Sequence, residues 1–438
     1  MENLFGTDGV RDVAGTGWLA ADGLAKLGAA ISGHLRAHGV SRPRVLFGRD
    51  TRVSGADLES QLAGALHASG CEVASAGVVP TPAVSALVAA AGFDLGVVIS
   101  ASHNPPEFNG VKLFDDRGRK LPVADELAVS ERARAAVSPP VRLRIEEDPT
   151  WRERYLDLLA EQVGASFLGG MRVVLDCACG ATATVARRAF ENAGAVVTVL
   201  NEELDGRRIN AGSGSTHPSG IGAATVQQGA ALGVAFDGDG DRAILVDESG
   251  GVVDGDEMLC LWGMDLNRDG RLAPAVIVAT VMSNAGMERF LREGGIELVR
   301  TGVGDREVFQ EMERRAAVLG GEQSGHIIYR PEANTGDGLR TGLHLARVLR
   351  RSGQSLSRLR AQIPRYPQVL LNREVAEKRP FAELPSVCSA LDSAVAQLQG
   401  RGRVLLRYSG TEPLVRILVE GPDDLENRSL ADAIAAGF

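Results

Sequence analysis

The chain reads as an α/β protein: three similar α/β domains with mixed, largely parallel sheets, followed by a smaller C-terminal α+β domain. Three observations point there. Runs of Val, Leu, Ile and Ala with strand character alternate with helix-like stretches through residues 1–365, and such alternation implies crossover connections and parallel pairing. Residues 366–438 break that rhythm. Finally, three polar loops, S-A-S-H-N-P at 100–105, D-G-D-G-D-R at 237–242 and G-E-Q-S-G-H at 321–326, each follow an apolar β-forming run. A strand ending in such a loop delivers side chains to the carboxyl edge of a parallel sheet, where open α/β domains bind ligands. An enzyme is the expectation.

The elements follow in order. R-V-L-F at 44–47, a helix near 55–69 and L-G-V-V-I-S at 95–100 form the first unit. M-R-V-V-L-D at 171–176, a helical 181–193, V-V-T-V-L at 196–200 and L-G-V-A-F at 232–236 form the second. The third holds A-V-I-V-A-T-V at 275–281, I-E-L-V-R-T at 296–301 and a helical 337–351. The last unit has a strand near 369–375, a helix near 384–398, and strands at 404–409 and 414–420. Joints are expected in the charged, Pro-bearing stretch 138–150, around 250–255, and at P-R-Y-P, 364–367. The domains are then 1–150, 151–252, 253–365 and 366–438. The three α/β units share a plan, but no sequence repeat is legible.

A length of 438 residues exceeds what one hydrophobic core usually supports. Hydrophobic residues make up 44% but aromatics only 4%, so the cores must be aliphatic. A net charge of −9 argues against a nucleic-acid partner, while leaving room for a local basic site for a small phosphate. The five cysteines are scattered, odd in number and never spaced C-x-x-C, the pattern of reduced thiols. With no signal-like segment after Met1 and no apolar run of spanning length, the expected compartment is the cytoplasm, without membrane association. Only four lysines occur, Lys26, Lys112, Lys120 and Lys378; of these Lys112, ten residues after Ser102, is placed in what looks like a polar active-site loop.

In D-G-D-G-D-R, Asp237, Asp239 and Asp241 alternate with Gly238 and Gly240, which let the backbone fold tightly enough for three carboxylates to converge on one hard cation. A solvated acidic turn is the plain alternative, but three carboxylates held together without a cation repel each other. A calcium loop starting at Asp237 would end on Glu248, yet Arg242 stands where its sharp turn needs Gly, and its flanks are strands. Mg²⁺ fits better, and Arg242 adds a fork for a phosphate oxygen. Ser102 lies in no G-x-S-x-G elbow and has no evident relay. A serine paired with a Mg²⁺ cage suggests phosphoryl chemistry, although Ser-His-Asn-Pro alone is commonly a turn.

Glu322 and Ser324 offer hydrogen-bond partners for sugar hydroxyls or an amine, and His326 a group titrating near neutrality; a capped loop with a satisfied His is the alternative. In R-Y-S-G-T-E-P-L-V-R at 407–416, Arg407, Ser409, Gly410, Thr411 and Arg416 surround a tight turn with donors enough for a phosphate, against an ordinary hairpin. The other histidines, His34, His38, His67, His217 and His344, receive no role. G-S-G-S-T-H at 212–217 matches a phosphate loop only loosely and lacks the Lys.

Taken in order with G-T-D-G-V-R at 6–11 and R-Y-S-G-T-E-P at 407–413, these motifs resemble those of the α-D-phosphohexomutases over essentially the whole chain. G-T-D-G-V-R and S-G-T-E-P resemble the branch acting on glucosamine phosphates. The resemblance implies four domains around a central cleft. It implies interconversion of glucosamine 6-phosphate and glucosamine 1-phosphate through a phosphoserine and a 1,6-bisphosphate, feeding UDP-N-acetylglucosamine and cell-wall synthesis. It also implies Ser102 as the phosphoserine, with Mg²⁺ held by Ser102, Asp237, Asp239 and Asp241. Arg11, Lys112 and His326 would orient the phosphoryl group or move protons. Glu322 and Ser324 would bind sugar hydroxyls, and Arg407, Ser409, Gly410, Thr411 and Arg416 the phosphate not in transit. Glucosamine 1,6-bisphosphate, or a related hexose 1,6-bisphosphate, would be the activator, and a homodimer the assembly. Asp12, where Gly is usual, and Cys179, where His is common, depart from the pattern and bear on loop shape only. A phosphomannomutase/phosphoglucomutase and a non-catalytic sugar-phosphate binding protein remain the alternatives.

Overall fold

The computed structural model of the chain describes residues 3–6, 8–409 and 413–438. Its first sheet holds β1 (Val10–Val13), β2 (Arg44–Arg49), β3 (Glu72–Val78), β4 (Leu95–Ile99) and β5 (Phe108–Phe114) in the order β1-β5-β4-β2-β3. The second holds β6 (Arg172–Asp176), β7 (Val196–Leu200), β8 (Leu232–Phe236), β9 (Ala243–Asp247) and β10 (Val252–Val253) in the order β10-β9-β8-β6-β7. The third holds β11 (Val276–Thr280), β12 (Glu297–Thr301), β13 (Leu319–Gly321) and β14 (Ile327–Tyr329) in the order β12-β11-β13-β14.

All three sheets repeat one plan. Each contains three parallel strands, the last of which turns through a short loop into an antiparallel strand. The inner parallel strands β4, β8 and β11 are buried on both faces and read as continuous apolar runs. The repeat that the sequence leaves illegible is therefore a repeat of topology. Its consequence is direct: the loops after β4, β8 and β13 are equivalent positions, and they are the three polar motifs.

The C-terminal domain is an antiparallel sheet of β15 (Gln368–Glu374), β17 (Leu414–Glu420) and β16 (Arg403–Tyr408), backed by the helices Pro385–Leu398 and Asp424–Ala435. It has its own small core around Val415, Ile417 and Ile434. A single larger core runs through the first three domains, from Leu46 and Val98 through Phe236 to Leu319 and Leu343. The first three domains are thus fused by packing, whereas the fourth is joined by polar contacts. Asn284 donates to the Tyr366 carbonyl (2.9 Å) and accepts from the Tyr366 N–H (3.0 Å), and Arg403 donates to the carbonyls of Val281 (2.7 Å) and Ser283 (2.6 Å).

Two expectations need correction. Lys112 is not in a loop but in the middle of β5, opposite Val98 of β4. The helix expected over 181–193 is broken at Val185 into a 3₁₀ turn, Ala181–Thr184, and a helix, Ala186–Asn192; the Ala181 N–H that opens the turn donates to the Gly238 carbonyl of the metal loop (2.8 Å). Glu248, the would-be end of a calcium loop, instead accepts from the N–H of Ser357 (3.2 Å). G-S-G-S-T-H is packing: the Gly214 N–H donates to Asp176 (2.8 Å).

Candidate active site

The serine loop and the metal loop meet face to face. Ser102 is buried in a left-handed conformation, φ 52°, rare for a residue with a Cβ. Four neighbours over-determine it. Its N–H donates to Ser100 Oγ (2.9 Å), whose hydroxyl donates to Asp50 (2.5 Å). Its carbonyl accepts from Arg52 and from Asn210, both at 2.9 Å. Asp50 and Arg52 form a fully buried ion pair (2.9 Å) beneath the loop. This frame aims Ser102 Oγ at Asp237 Oδ2, to which it donates at 2.7 Å. A Cβ on Gly238 would lie 2.8 Å from the Ser102 carbonyl oxygen, so only glycine lets the two loops approach this closely.

Asp237, Asp239 and Asp241 offer oxygens that all lie within 4.8 Å of one another. Lys112 Nζ sits 2.8 Å from Asp239 Oδ2 and 3.3 Å from Asp241 Oδ2, and Thr81 donates to Asp239 Oδ2 (2.6 Å). The Oδ1 atoms of Asp239 and Asp241 are buried with no hydrogen-bond partner among the described residues. Burial, then the charges of Asp241 and Asp239, push the Asp237 carboxyl well above the usual range. Orphaned oxygens beside a carboxyl reluctant to ionise are what a cation cage of hard oxygen donors looks like, so the residues fit a divalent metal. Against the burial that would raise it, Lys112 and His326 hold Asp241 well below the usual range. Asp239, Asp8 and Asp241 outweigh burial at Lys112 and hold it charged.

Beside the cage lies a cavity of about 200 Å³ lined by Asp8, Arg11, His103, Asp241, Arg242, Val303, Gly304, Asp305, Glu322 and His326. Burial, followed by Arg242 and Arg11, pushes the His103 imidazole down to about 4. Its Nδ1 is 3.3 Å from Ser102 Oγ. His326 accepts from the Gly336 N–H at Nε2 (3.0 Å), which leaves its ring proton on Nδ1, facing Asp241 Oδ1 at 3.6 Å. Burial lowers the basicity of His326, but Asp241 outweighs it and the net shift is upward.

The sequence-predicted residues therefore divide. Arg11, Ser102, Lys112, Asp237, Asp239, Asp241, Arg242, Glu322 and His326 come together at the cage and cavity. Glu322 accepts from the Gly304 N–H (3.1 Å), while Ser324 is exposed at the loop tip. Arg407 and Arg416 are direct cross-strand partners on β16 and β17, with Ser409 buried beside them, but among the described residues none of the C-terminal domain lines the cavity. Gly410 and Thr411 lie outside the described residues. Sequence reading missed Asp8, which pairs with Arg11, Lys112 and Lys120, although it sits inside G-T-D-G-V-R. It also missed Thr81, His103, Asp50, Arg52 and Asn210, and for the last three no motif gave a signal. Asp12 binds its neighbour's N–H (2.8 Å), and the Cys179 carbonyl accepts from Thr51 (2.5 Å); both shape loops.

Models of phosphoglucomutase/phosphomannomutase α/β/α domains I, II and III match residues 2–138, 153–251 and 254–366, and that of the C-terminal domain residues 370–437. Phosphoglucosamine mutase of Moorella thermoacetica is 46% identical across 98% of this chain and 97% of its own. That of Anaeromyxobacter dehalogenans is 44% identical across 99% and 98%. Among solved structures, a phosphoglucomutase/phosphomannomutase family protein of Burkholderia thailandensis superposes with a TM-score of 0.81 at 25% identity, covering 100% of this chain and 97% of that one. N-acetylphosphoglucosamine mutase of Aspergillus fumigatus, solved with GlcNAc-6P and magnesium, shares the fold at 18% identity with a TM-score of 0.64, covering 99% and 95%. With all four domain types matched in order and relatives near half identical end to end, the chain belongs to the phosphoglucomutase/phosphomannomutase family of phosphohexomutases.

Proposed function

We propose that this enzyme interconverts glucosamine 6-phosphate and glucosamine 1-phosphate, with Ser102 carrying the phosphoryl group. The observation that carries the proposal is Ser102 itself, held in a strained left-handed turn with its hydroxyl aimed into a buried three-aspartate cage. The sugar is drawn from relatives named phosphoglucosamine mutase at 42–46% identity over nearly the whole chain.

Asp237, Asp239, Asp241 and Ser102 would hold Mg²⁺, which when bound neutralises charge on the phosphoryl group in transit. The remaining work falls to the chain's own groups. The sugar's free hydroxyl attacks the phosphorus of phosphorylated Ser102; its O–P bond forms as the Ser102 Oγ–P bond breaks. Arg11, Arg242 and the charged Lys112 hold the non-bridging oxygens, and His326 takes the hydroxyl proton at Nε2, which must first give up the Gly336 N–H it accepts. The resulting 1,6-bisphosphate turns over and returns its other phosphate to Ser102. Glu322 and Ser324 grip the sugar, while Arg407, Ser409, Gly410, Thr411 and Arg416 take the phosphate not in transit. A glucosamine or related hexose 1,6-bisphosphate serves as activator. On this reading the chain divides at about residues 150, 252 and 365, pairs as a homodimer and works in the cytoplasm; among the described residues no helix is long and apolar enough to cross a membrane.

Peptide mass spectrometry of the purified enzyme tests the proposal. Phosphate on the Ser102 peptide is expected. Its absence after incubation with the bisphosphate and Mg²⁺ would remove Ser102 from the mechanism. Side-by-side turnover of glucosamine, glucose and mannose phosphates tests the sugar.

A further inference from the structure

A second convergence of ligand-type side chains lies in the first domain, and none of its members lines the cavity at Ser102. His34, in the last turn of the helix Ala21–Ala37, and His38, at its C-cap, stand one turn apart on one face. Asp125 reaches them from the first turn of the helix Val123–Ala135. Their ligand atoms all lie within 4.8 Å of one another. Asp125 Oδ1 is 3.6 Å from His34 Nε2 and 4.0 Å from His38 Nε2.

These distances are too long for hydrogen bonds. They are close to the roughly 3.4 Å that separates two ligands each about 2.0–2.1 Å from a tetrahedral ion. The arrangement of protons says the same. His38 Nδ1 lies 3.0 Å from the His34 carbonyl oxygen, and a carbonyl only accepts, so the proton is on Nδ1. In the neutral ring Nε2 is then a bare lone pair facing a carboxylate. Metal-binding imidazoles characteristically donate their second N–H in this way, which fixes the tautomer. The C-terminal end of a helix also favours positive charge.

We infer that His34, His38 and Asp125 form a second metal site, of the Zn²⁺ class, that staples these two helices together. Two imidazoles and one carboxylate select a borderline-soft ion with a water in the fourth position, whereas Mg²⁺ prefers the all-oxygen cage. The staple has a structural consequence. The residue after Asp125 is Glu126, buried and bidentate with Arg306 of the third domain (2.9 and 2.5 Å), so an ion here fixes the helix turn that locks the first domain to the third.

The test is titration of the full chain with Zn²⁺ in excess Mg²⁺ by calorimetry, with Co²⁺ absorption reporting nitrogen ligation. One Zn²⁺ per chain and a melting temperature that climbs with free Zn²⁺ are expected. His38→Ala, at a side chain 60% exposed, should keep its mutase activity yet lose affinity by more than the roughly 10–100-fold typical of removing an outer-shell partner; Asp125→Asn should do likewise. Zn²⁺ binding unchanged in both variants, or absent from the wild type once the cage holds Mg²⁺, would overturn the inference.

Discussion

Lys112 Nζ lies 2.8 Å from Asp239 Oδ2, both side chains buried, so an ammonium from a β-strand of the first domain meets a carboxylate from a loop of the second inside the three-aspartate cage. It also touches Asp8 and Asp241, so three carboxylates share it. Lys112→Met should cost about 3–5 kcal/mol, the usual penalty for removing one partner of a buried ion pair. Added Mg²⁺ should restore part of this by supplying charge at the cage. Melting curves with and without Mg²⁺ measure both effects, and a variant as stable as wild type without metal would contradict the network.

Ser102→Ala should lower mutase activity by more than about 10⁴-fold, as loss of a nucleophile does. The fold should persist, because Ser100, Arg52 and Asn210 hold the backbone and not the hydroxyl. Steady-state assay beside circular dichroism separates the two.

Arg407 and Arg416 are opposed across β16 and β17, where two guanidinium forks together suit one phosphate. Arg416→Gln should raise KM by about 10–100-fold through loss of a charge-assisted hydrogen bond. Phosphorylation of Ser102 should survive. A variant with unchanged KM would take this hairpin out of substrate binding.

Arg403 clasps the C-terminal domain to the third and also pairs with Glu420 (2.6 Å), which is fully buried and accepts from the Ala285 N–H (2.9 Å). Arg403→Ala should strand that carboxylate, costing about 3–5 kcal/mol at this joint. Amide exchange should accelerate in the C-terminal domain and not in the first three, which share a core. Uniform acceleration would show that the clasp is not the separating element.

Burial, then Asp254, raises the Asp256 carboxyl from its ordinary 3.8 to about 6. A carboxyl raised by folding binds its proton more tightly in the native state, so its contribution is fully present below about pH 4 and is lost as pH rises through about 6. The swing is on the order of 3 kcal/mol. Asp256→Asn keeps an acceptor for the Asn284 N–H that Asp256 now binds (2.8 Å), and so should match wild type near pH 4 and exceed it at pH 8. Parallel denaturation curves at the two pH values decide it.

The sequence by itself determined what depends on neighbours along the chain. Apolar runs of β-formers located β4, β6, β8 and β11, because strands buried on both faces must be apolar throughout. D-G-D-G-D-R placed three carboxylates close enough to share an ion, because alternation with glycine is a local property. Tertiary structure alone decided what depends on residues far apart. Ser102 and Asp237 meet across 135 positions, Lys112 reaches the cage only because β5 pairs with β4, and Asp50, Arg52 and Asn210 support the serine loop from segments that carry no motif. Lys112 looked like a loop residue because a charge inside F-N-G-V-K-L-F breaks the apolar pattern. Three carboxylates from other segments make its burial tolerable, and periodicity along one strand carries no information about what stands across the sheet edge.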